Sequence, residues 1–142
     1  MSNNLIVTAD LINDKVKFSG VSRDNDEITI DYTSPIGDDN GHTPLELFLL
    51  SLASCSGMTI VILLRKMHKD VLGLKVIASG DRRDINPTYF KSILLSFELE
   101  SKDVQPDDME KAIKLSKESM CPVWNMVKNN VDIKCEYKII CQ

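Results

Sequence analysis

The most informative segment of the chain covers residues 42–67 and reads HTPLELFLLSLASCSGMTIVILLRKM, with one cysteine inside a long apolar run. No charged residue occurs in residues 47–64. Such a run can be a membrane span, the core helix of a globular protein, or a helix that holds one thiol away from water. Serine, glycine and threonine dilute its apolar character, and the sequence around it alternates like sheet. We therefore favour a core helix over a membrane span.

Signals for the start of this helix are strong. Thr43 and Glu46 fit a capping box, in which the threonine hydroxyl caps the helix and the glutamate reaches back. Pro44 lies at the first helical position, where a missing N–H has no cost. A helix over residues 44–67 would be a rod of roughly 36 Å.

Strands are predicted on both sides of the helix, together with two later helices. Period-two alternation and turn-type spacers indicate strands in NLIVTADLI, KVKFSGV, EITIDY, LKVIAS, FKSILLSFELE and VDIKCEYKIIC. Helices are predicted for QPDDMEKAIKLSKES, which opens with Pro106 and two acids, and for CPVWNMVKN. The order βββ–α–ββ–α–α–β predicts an α+β protein, with the long helix buried against a mostly antiparallel sheet.

Bulk composition narrows the class of protein. A length of 142 residues favours a single domain over residues 1–142, with enough chain for a core. The formal net charge of −4, with interspersed charges, gives no reason to expect nucleic acid as a partner. The first ten residues lack the basic and apolar regions of a signal peptide, so we expect a cytoplasmic protein without a membrane partner. Cysteines in that compartment are normally reduced.

Two of the four cysteines have a simple interpretation. No C-x-x-C motif occurs, and His42 and His68 offer no zinc spacing, so we expect neither a metal nor a cofactor. Cys135 and Cys141 fall on the apolar face of the last predicted strand. Free cysteine is a common small core residue, which predicts packing roles for both.

Cys55 and Cys121 leave two interpretations open. Cys55 lies about three turns into the apolar helix among small residues, either as filler or as a thiol that another segment or a substrate approaches closely. Cys121 precedes Pro122, which is suited to open a helix, so Cys121 is a candidate N-cap. Unpaired N–H groups and the helix dipole would there favour the thiolate. A simple helix break with a buried cysteine remains the alternative.

The TPLELFLLSLASC helix, the later CP pair and the three-strand start together resemble the OsmC/Ohr family, the osmotically induced and organic hydroperoxide resistance proteins. The resemblance covers nearly the whole chain, and 66 positions separate the two cysteines. It implies an OsmC-like fold and an intertwined homodimer, in which two long central helices lie buried between sheets.

The resemblance also implies thiol peroxidase chemistry. The helix cysteine, here Cys55, would attack the distal oxygen of an organic hydroperoxide and become a sulfenic acid. Cys121 would condense with it to a disulfide, and a dithiol such as dihydrolipoamide would restore both thiols. In the family an arginine from the early strand–loop region activates the buried thiol. Arg23 is the only arginine in the first third of the chain and is therefore the candidate.

A glutamate just after the helix-opening proline holds that arginine in the family, and here the pattern differs. The family's acid would fall on Leu45, whereas the acid present is Glu46, turned about 100° around the helix. This form looks closer to the OsmC-like branch than to Ohr proper.

Three alternatives to a peroxidase are a non-catalytic protein that binds an apolar small molecule in the dimer pocket, a redox-sensing thiol protein, and a thiol enzyme acting on another sulfur substrate.

Overall fold

A computed structural model describes residues 4–141 of the chain. The predicted order of elements is confirmed, and the fold is α+β. The elements are β1 Val7–Leu11, β2 Phe18–Ser22, β3 Ile28–Ile30, α1 Pro44–Lys66, β4 Gly73–Arg82, β5 Phe90–Ser101, α2 Pro106–Leu115, α3 Pro122–Val127 and β6 Asp132–Cys141. A π-helical turn, Ser116–Met120, joins α2 to α3.

The strands form two three-stranded sheets, in the orders β1-β2-β3 and β4-β5-β6. Pairing is antiparallel throughout the first sheet and between β4 and β5. The β5–β6 pair is parallel, because α2 and α3 form the crossover between these two strands. The prediction of mostly antiparallel pairing is thus confirmed for the described strands.

Contacts concentrate in two compact units, of which the first ends at Phe48 and the second begins at Leu49. The first unit contains β1–β3 and a loop built around buried Asp31. Burial alone would raise the pKa of the Asp31 carboxyl, but backbone N–H groups of Tyr32, Asp38 and Asn40 hold it below its usual range. The prediction that residues 1–142 form one domain stays a prediction.

The start of α1 is the predicted capping box. The Thr43 N–H donates to Glu46 Oε1 at 2.8 Å, and the Glu46 N–H donates to Thr43 Oγ1 at 3.3 Å. Pro44 is the first helical residue, as predicted. The hydrogen bonds from Thr43 lower the pKa of the Glu46 carboxyl below its ordinary value.

In the second unit, one side of α1 packs on the sheet. The predicted apolar face of β5 is confirmed, since Ile93, Leu95, Phe97 and Leu99 are all buried. On α1, a Cβ at Gly57 would lie 3.1 Å from Val76 Cγ2, so the missing side chain lets the helix approach β4 closely. The buried side of α1 consists of Leu52, Ala53, Ser56, Gly57, Ile60 and Leu64.

The other side of α1 is exposed in the single chain; burial of this side was predicted between two chains and stays a prediction. Leu50, Met58 and Ile62 are 53%, 66% and 51% exposed. Met58 lies eight positions after Leu50, and Ile62 lies four positions after Met58, so the three form one stripe along the helix. By length and composition, α1 could cross a membrane, but core helices pass the same test. Its packing on β4 is that of a core helix.

Candidate active site: a pair of thiols

Cys121 lies at the N-terminus of α3, as the N-cap prediction required. Its backbone is extended, with φ −83° and ψ 110°, and its Sγ accepts a hydrogen bond from the Trp124 N–H at 3.5 Å. The Cys121 side chain is fully buried. Pro122 opens the helix without needing an acceptor for an N–H of its own. The N-cap prediction is therefore confirmed.

The middle of α1 meets this helix start. Ser56 Oγ lies 3.7 Å from Cys121 Sγ, and both side chains are 0% exposed. The Cys55 thiol is hydrogen-bonded to the Cys121 side chain and accepts a hydrogen bond from the Val123 N–H. Both cysteines are free thiols in this structure. The fold thus brings together two thiols that are 66 positions apart in the sequence.

Electrostatics at the pair favour the protonated form of Cys55. Burial raises the pKa of the Cys55 thiol, and the adjacent Cys121 side chain raises it further. The Val123 N–H acts in the opposite direction, because it stabilises a negative sulfur, but it does not cancel the burial. No positively charged side chain is among the causes of this shift in the described part of the chain. Formation of a Cys55 thiolate therefore calls for a further favourable charge.

Arg23 and Glu46, the predicted activating pair, both belong to the first compact unit. Arg23 lies in the turn between β2 and β3, where it is exposed and has a left-handed backbone with φ 54°. Glu46 is held by the hydrogen bonds of its capping box. The structure accounts for Glu46 as a helix cap, and the activating role of both residues stays a prediction.

The remaining cysteines differ from each other. Cys135 is partly buried, and burial raises the pKa of its thiol to about 11, against a smaller lowering by Lys117. Cys141 is exposed, so the prediction that it packs in the core is wrong. It pairs with Ser101, the last residue of β5, and the sheet ends there. A side chain on the apolar face of a strand can still be exposed when it lies at the end of the sheet.

Iodoacetamide labelling at pH 8 should separate these two cysteines. With a pKa of about 11, only about one Cys135 in a thousand is a thiolate at that pH, and its side chain is also shielded. We expect Cys141 to be labelled fully while Cys135 remains largely unmodified, as read by peptide mass spectrometry. Labelling of Cys135 should increase as the pH rises toward 11. Equal labelling of both at pH 8 would contradict the burial of Cys135.

Sequence reasoning missed three groups that contact the thiols: the Ser56 hydroxyl and the N–H groups of Val123 and Trp124. An N-cap at Cys121 predicts that the next backbone N–H groups are free to donate. That they donate to two sulfurs depends on where α1 packs. Ser56 could be singled out only as the neighbour of Cys55. Within residues 4–141, no group of three or more histidine, cysteine or acidic side chains is arranged to hold a metal ion.

A groove of about 590 Å³ lies on the exposed side of α1, which we call the α1 groove. Residues of α1 and β4 line it: Leu50, Ala53, Ser54, Gly57, Met58, Val61, Ile62, Arg65, Leu74 and Val76. Neither thiol of the pair is among them. The α1 groove is therefore a separate feature from the thiol pair, although Ser54 in its lining is the neighbour of Cys55.

Comparison with known proteins gives one consistent family. The sequence model of the family described as OsmC-like protein matches residues 37–136. Protein YhfA of Escherichia coli (strain K12) is 29% identical over 123 residues, which are 87% of this chain and 90% of YhfA. The crystal structure of a hypothetical protein from Aquifex aeolicus VF5 has a TM-score of 0.87 at 28% identity, with 99% of each chain covered. The organic hydroperoxide resistance protein OhrB of Bacillus subtilis has a TM-score of 0.64 at 20% identity, with 95% of this chain and 98% of OhrB covered.

Proposed function

The chain belongs to the OsmC-like protein family, and from this premise we propose that it is a thiol-dependent peroxidase that reduces organic hydroperoxides through Cys55 and Cys121. The observation that carries the proposal is the contact between these two thiols where α3 begins beside α1. Several solved relatives of this fold are organic hydroperoxide resistance proteins, which supports the same substrate class. One buried thiol is common filler, but two in contact form a pair that can be oxidised and reduced.

In the first step, the Cys55 thiolate attacks the distal oxygen of the hydroperoxide. The O–O bond breaks, the alkoxide takes a proton and leaves as the alcohol, and Cys55 is oxidised to a sulfenic acid. The Val123 N–H donates to the Cys55 sulfur and stabilises its negative charge before the attack. The partly buried position of Cys55 suits an alkyl hydroperoxide, which is itself largely apolar.

In the second step, the Cys121 sulfur attacks the sulfenic sulfur of Cys55. An S–S bond forms, the S–O bond breaks, and the oxygen leaves as water. A dithiol such as dihydrolipoamide then reduces the disulfide and is itself oxidised to a cyclic disulfide. The two thiols are hydrogen-bonded neighbours in the reduced state, which favours this condensation.

The proposed function is tested by consumption of organic hydroperoxides. Purified protein with dihydrolipoamide should consume cumene and tert-butyl hydroperoxide faster than hydrogen peroxide, because the thiol lies in a partly apolar environment. Protein alkylated beforehand at all its thiols is the control for peroxide loss that does not depend on cysteine. Failure to consume either organic hydroperoxide would overturn the peroxidase proposal.

In this proposal, Arg23 supplies the positive charge that Cys55 needs, and Glu46 helps to hold the Arg23 side chain. This part of the proposal rests on the arginine and glutamate that activate the thiol in the family. We expect Arg23→Ala to raise the pKa of Cys55 further, because a cation favours the thiolate. A rise of one unit would lower the alkylation rate of Cys55 at pH 7 about tenfold and move its pH profile to higher pH. Arg23→Lys is the matched control, since it keeps the charge. Equal alkylation rates in Arg23→Ala and the natural protein would show that another group activates Cys55.

The protein is also proposed to be a homodimer. The exposed stripe of Leu50, Met58 and Ile62 supports this, because a stripe of large apolar side chains on a helix marks a surface that another chain covers. Sedimentation at micromolar concentration should show twice the mass of the 16.0 kDa chain. The substitution Met58→Glu should shift the protein toward monomer, whereas Lys75→Glu, on an exposed strand position, should not. A folded monomer for the natural chain would contradict this prediction.

A second candidate is a non-catalytic protein that binds an apolar small molecule. The apolar α1 groove of about 590 Å³ favours it, since that volume is in the range of small-molecule sites. Saturable binding of an apolar fluorescent probe, competed by fatty acyl compounds, would support this candidate if no hydroperoxide is consumed. A redox-sensing role would instead show as thiol oxidation without repeated turnover.

A further inference from the structure

Ser54, Ser56 and Thr59 are hydroxyl side chains of α1 close to Cys55, and Ser56 differs from the other two. The Ser54 hydroxyl donates to the Leu50 carbonyl at 2.7 Å, and the Thr59 hydroxyl donates to the Cys55 carbonyl at 2.8 Å. Each satisfies itself on its own helix, one turn back, as helical serine and threonine usually do. Ser56 is fully buried, and its recorded contact is instead the Cys121 sulfur at 3.7 Å.

Among the described residues, the Cys121 sulfur has two polar neighbours besides Cys55. The Trp124 N–H donates to Cys121 Sγ at 3.5 Å, and the Ser56 hydroxyl lies against the same sulfur. Cys55 accepts from one backbone donor, the Val123 N–H. The Cys121 sulfur, which must attack Cys55 in the second step, therefore lies against a hydroxyl that can donate a hydrogen bond to it. Cys55 is the titratable side chain that faces Cys121 from α1.

We propose that Ser56 is a positioning residue for the second thiol: its hydroxyl donates to Cys121 Sγ and holds that sulfur against Cys55 for the attack. The inference rests on the proposed function and concerns its second step. It assigns separate tasks to adjacent residues of α1, because Cys55 meets the hydroperoxide while Ser56 prepares the sulfur that resolves it.

The step that Ser56 serves is balanced without any further reagent. The Cys121 thiolate attacks the sulfur of the Cys55 sulfenic acid, the S–S bond forms, and the S–O bond breaks. The hydroxide that leaves takes a proton from solvent and becomes water. Ser56 keeps its proton throughout, and its hydrogen bond weakens as the charge on Cys121 disappears. Its effect is therefore on the rate of closure and leaves the products unchanged.

A purely structural role for Ser56 makes a different prediction. If Cys121 stays protonated, its thiol can donate to Ser56 Oγ, and the contact then contributes only to packing. Removal of the hydroxyl would in that case lower stability slightly and leave the reactivity of Cys121 unchanged. The two roles therefore differ in the rate at which the sulfur of Cys121 attacks Cys55.

The closure of the Cys55–Cys121 disulfide, meaning the attack of Cys121 on an oxidised Cys55, can be measured without peroxide. In a chain that carries Cys135→Ser and Cys141→Ser, methyl methanethiosulfonate converts Cys55 to a methyl disulfide. Cys121 then displaces methanethiolate to form the Cys55–Cys121 disulfide. Intact-mass spectrometry follows this first-order step through the loss of the methylthio group. The variants are Ser56→Ala, Ser56→Thr as the rescue that keeps a hydroxyl, and Ser54→Ala as the matched control on the same helix.

We expect Ser56→Ala to close about tenfold more slowly, which corresponds to the loss of one hydrogen bond to a charged sulfur. Ser54→Ala should close at the natural rate, and Ser56→Thr should recover most of it. If the disulfide closes as fast in Ser56→Ala as in Ser54→Ala, the inference is overturned. Equally slow closure in Ser56→Thr would also overturn it, because the effect would then be one of packing. No closure in any chain would show that the thiols do not act as a pair.

The peroxide assay keeps this inference separate from the proposed function. If closure depends on Ser56 as expected but organic hydroperoxides are not consumed, the peroxidase proposal fails and the role of Ser56 in the thiol pair stands. If hydroperoxides are consumed and closure ignores Ser56, the proposed function stands and the positioning role fails.

Discussion

Cys55→Ser should abolish the consumption of organic hydroperoxide, lowering the rate at least about a thousandfold to that of buffer with dihydrolipoamide alone. A serine hydroxyl is not ionised at neutral pH and is a far weaker nucleophile than a thiolate, so the O–O bond is not broken. Cys121 does not replace the missing thiol, because it is fully buried whereas Cys55 is partly accessible. The measurement is peroxide loss over time at fixed dihydrolipoamide.

Cys141→Ser is the matched control for that result. It makes the same substitution at an exposed thiol outside the pair, so peroxide consumption should stay at the natural rate. Circular dichroism of both variants should match the natural protein, since serine replaces one sulfur by oxygen. Substantial hydroperoxide turnover by Cys55→Ser would exclude Cys55 as the attacking residue, whatever the family resemblance implies.

Cys121→Ser should behave differently, because it removes the resolving thiol and leaves the attacking one. We expect it to consume about one equivalent of hydroperoxide per chain and then to stop, with Cys55 as a sulfenic acid. The helix start should survive, since serine is among the best N-cap residues and can accept the Trp124 N–H in place of sulfur. The contrast between one turnover and none is therefore not a difference in folding.

Mass spectrometry gives the independent measurement. One equivalent of organic hydroperoxide should convert the natural chain to a disulfide whose peptides link Cys55 to Cys121. In Cys121→Ser, the same treatment should add one oxygen that dimedone traps on Cys55. Continued turnover by Cys121→Ser, or oxidation confined to Cys135 and Cys141, would rule out the two-thiol cycle.

Much of the fold could be predicted from local sequence alone. The order of strands and helices, the capping box of Thr43 and Glu46, and the N-cap at Cys121 are all confirmed. Each depends on interactions within a few residues, such as a side chain that satisfies a nearby N–H, or on the period of apolar residues along one element. Such interactions are visible in sequence because their partners are sequence neighbours.

Burial was predicted less well, because it depends on what covers an element. Cys141 shares an alternating face with Cys135 but is exposed, since it lies where the sheet ends. The run of apolar residues in α1 favours burial all round, and the single chain covers only one side of it, on β4, while Met58 on the other side is exposed. Hydrophobic pattern reports which side chains favour burial, and it does not report whether the chain supplies a surface to bury them.

The candidate site shows the same division most clearly. Sequence could mark Cys55 and Cys121 as separate thiols, and the family resemblance could pair them, but no local rule brings residues 66 positions apart into contact. That contact exists because α3 begins beside the middle of α1. The Ser56 hydroxyl and the N–H groups of Val123 and Trp124 reach the two sulfurs through the same packing. Long-range packing, which joins side chains that are distant in sequence, is thus what turns two ordinary cysteines into a pair.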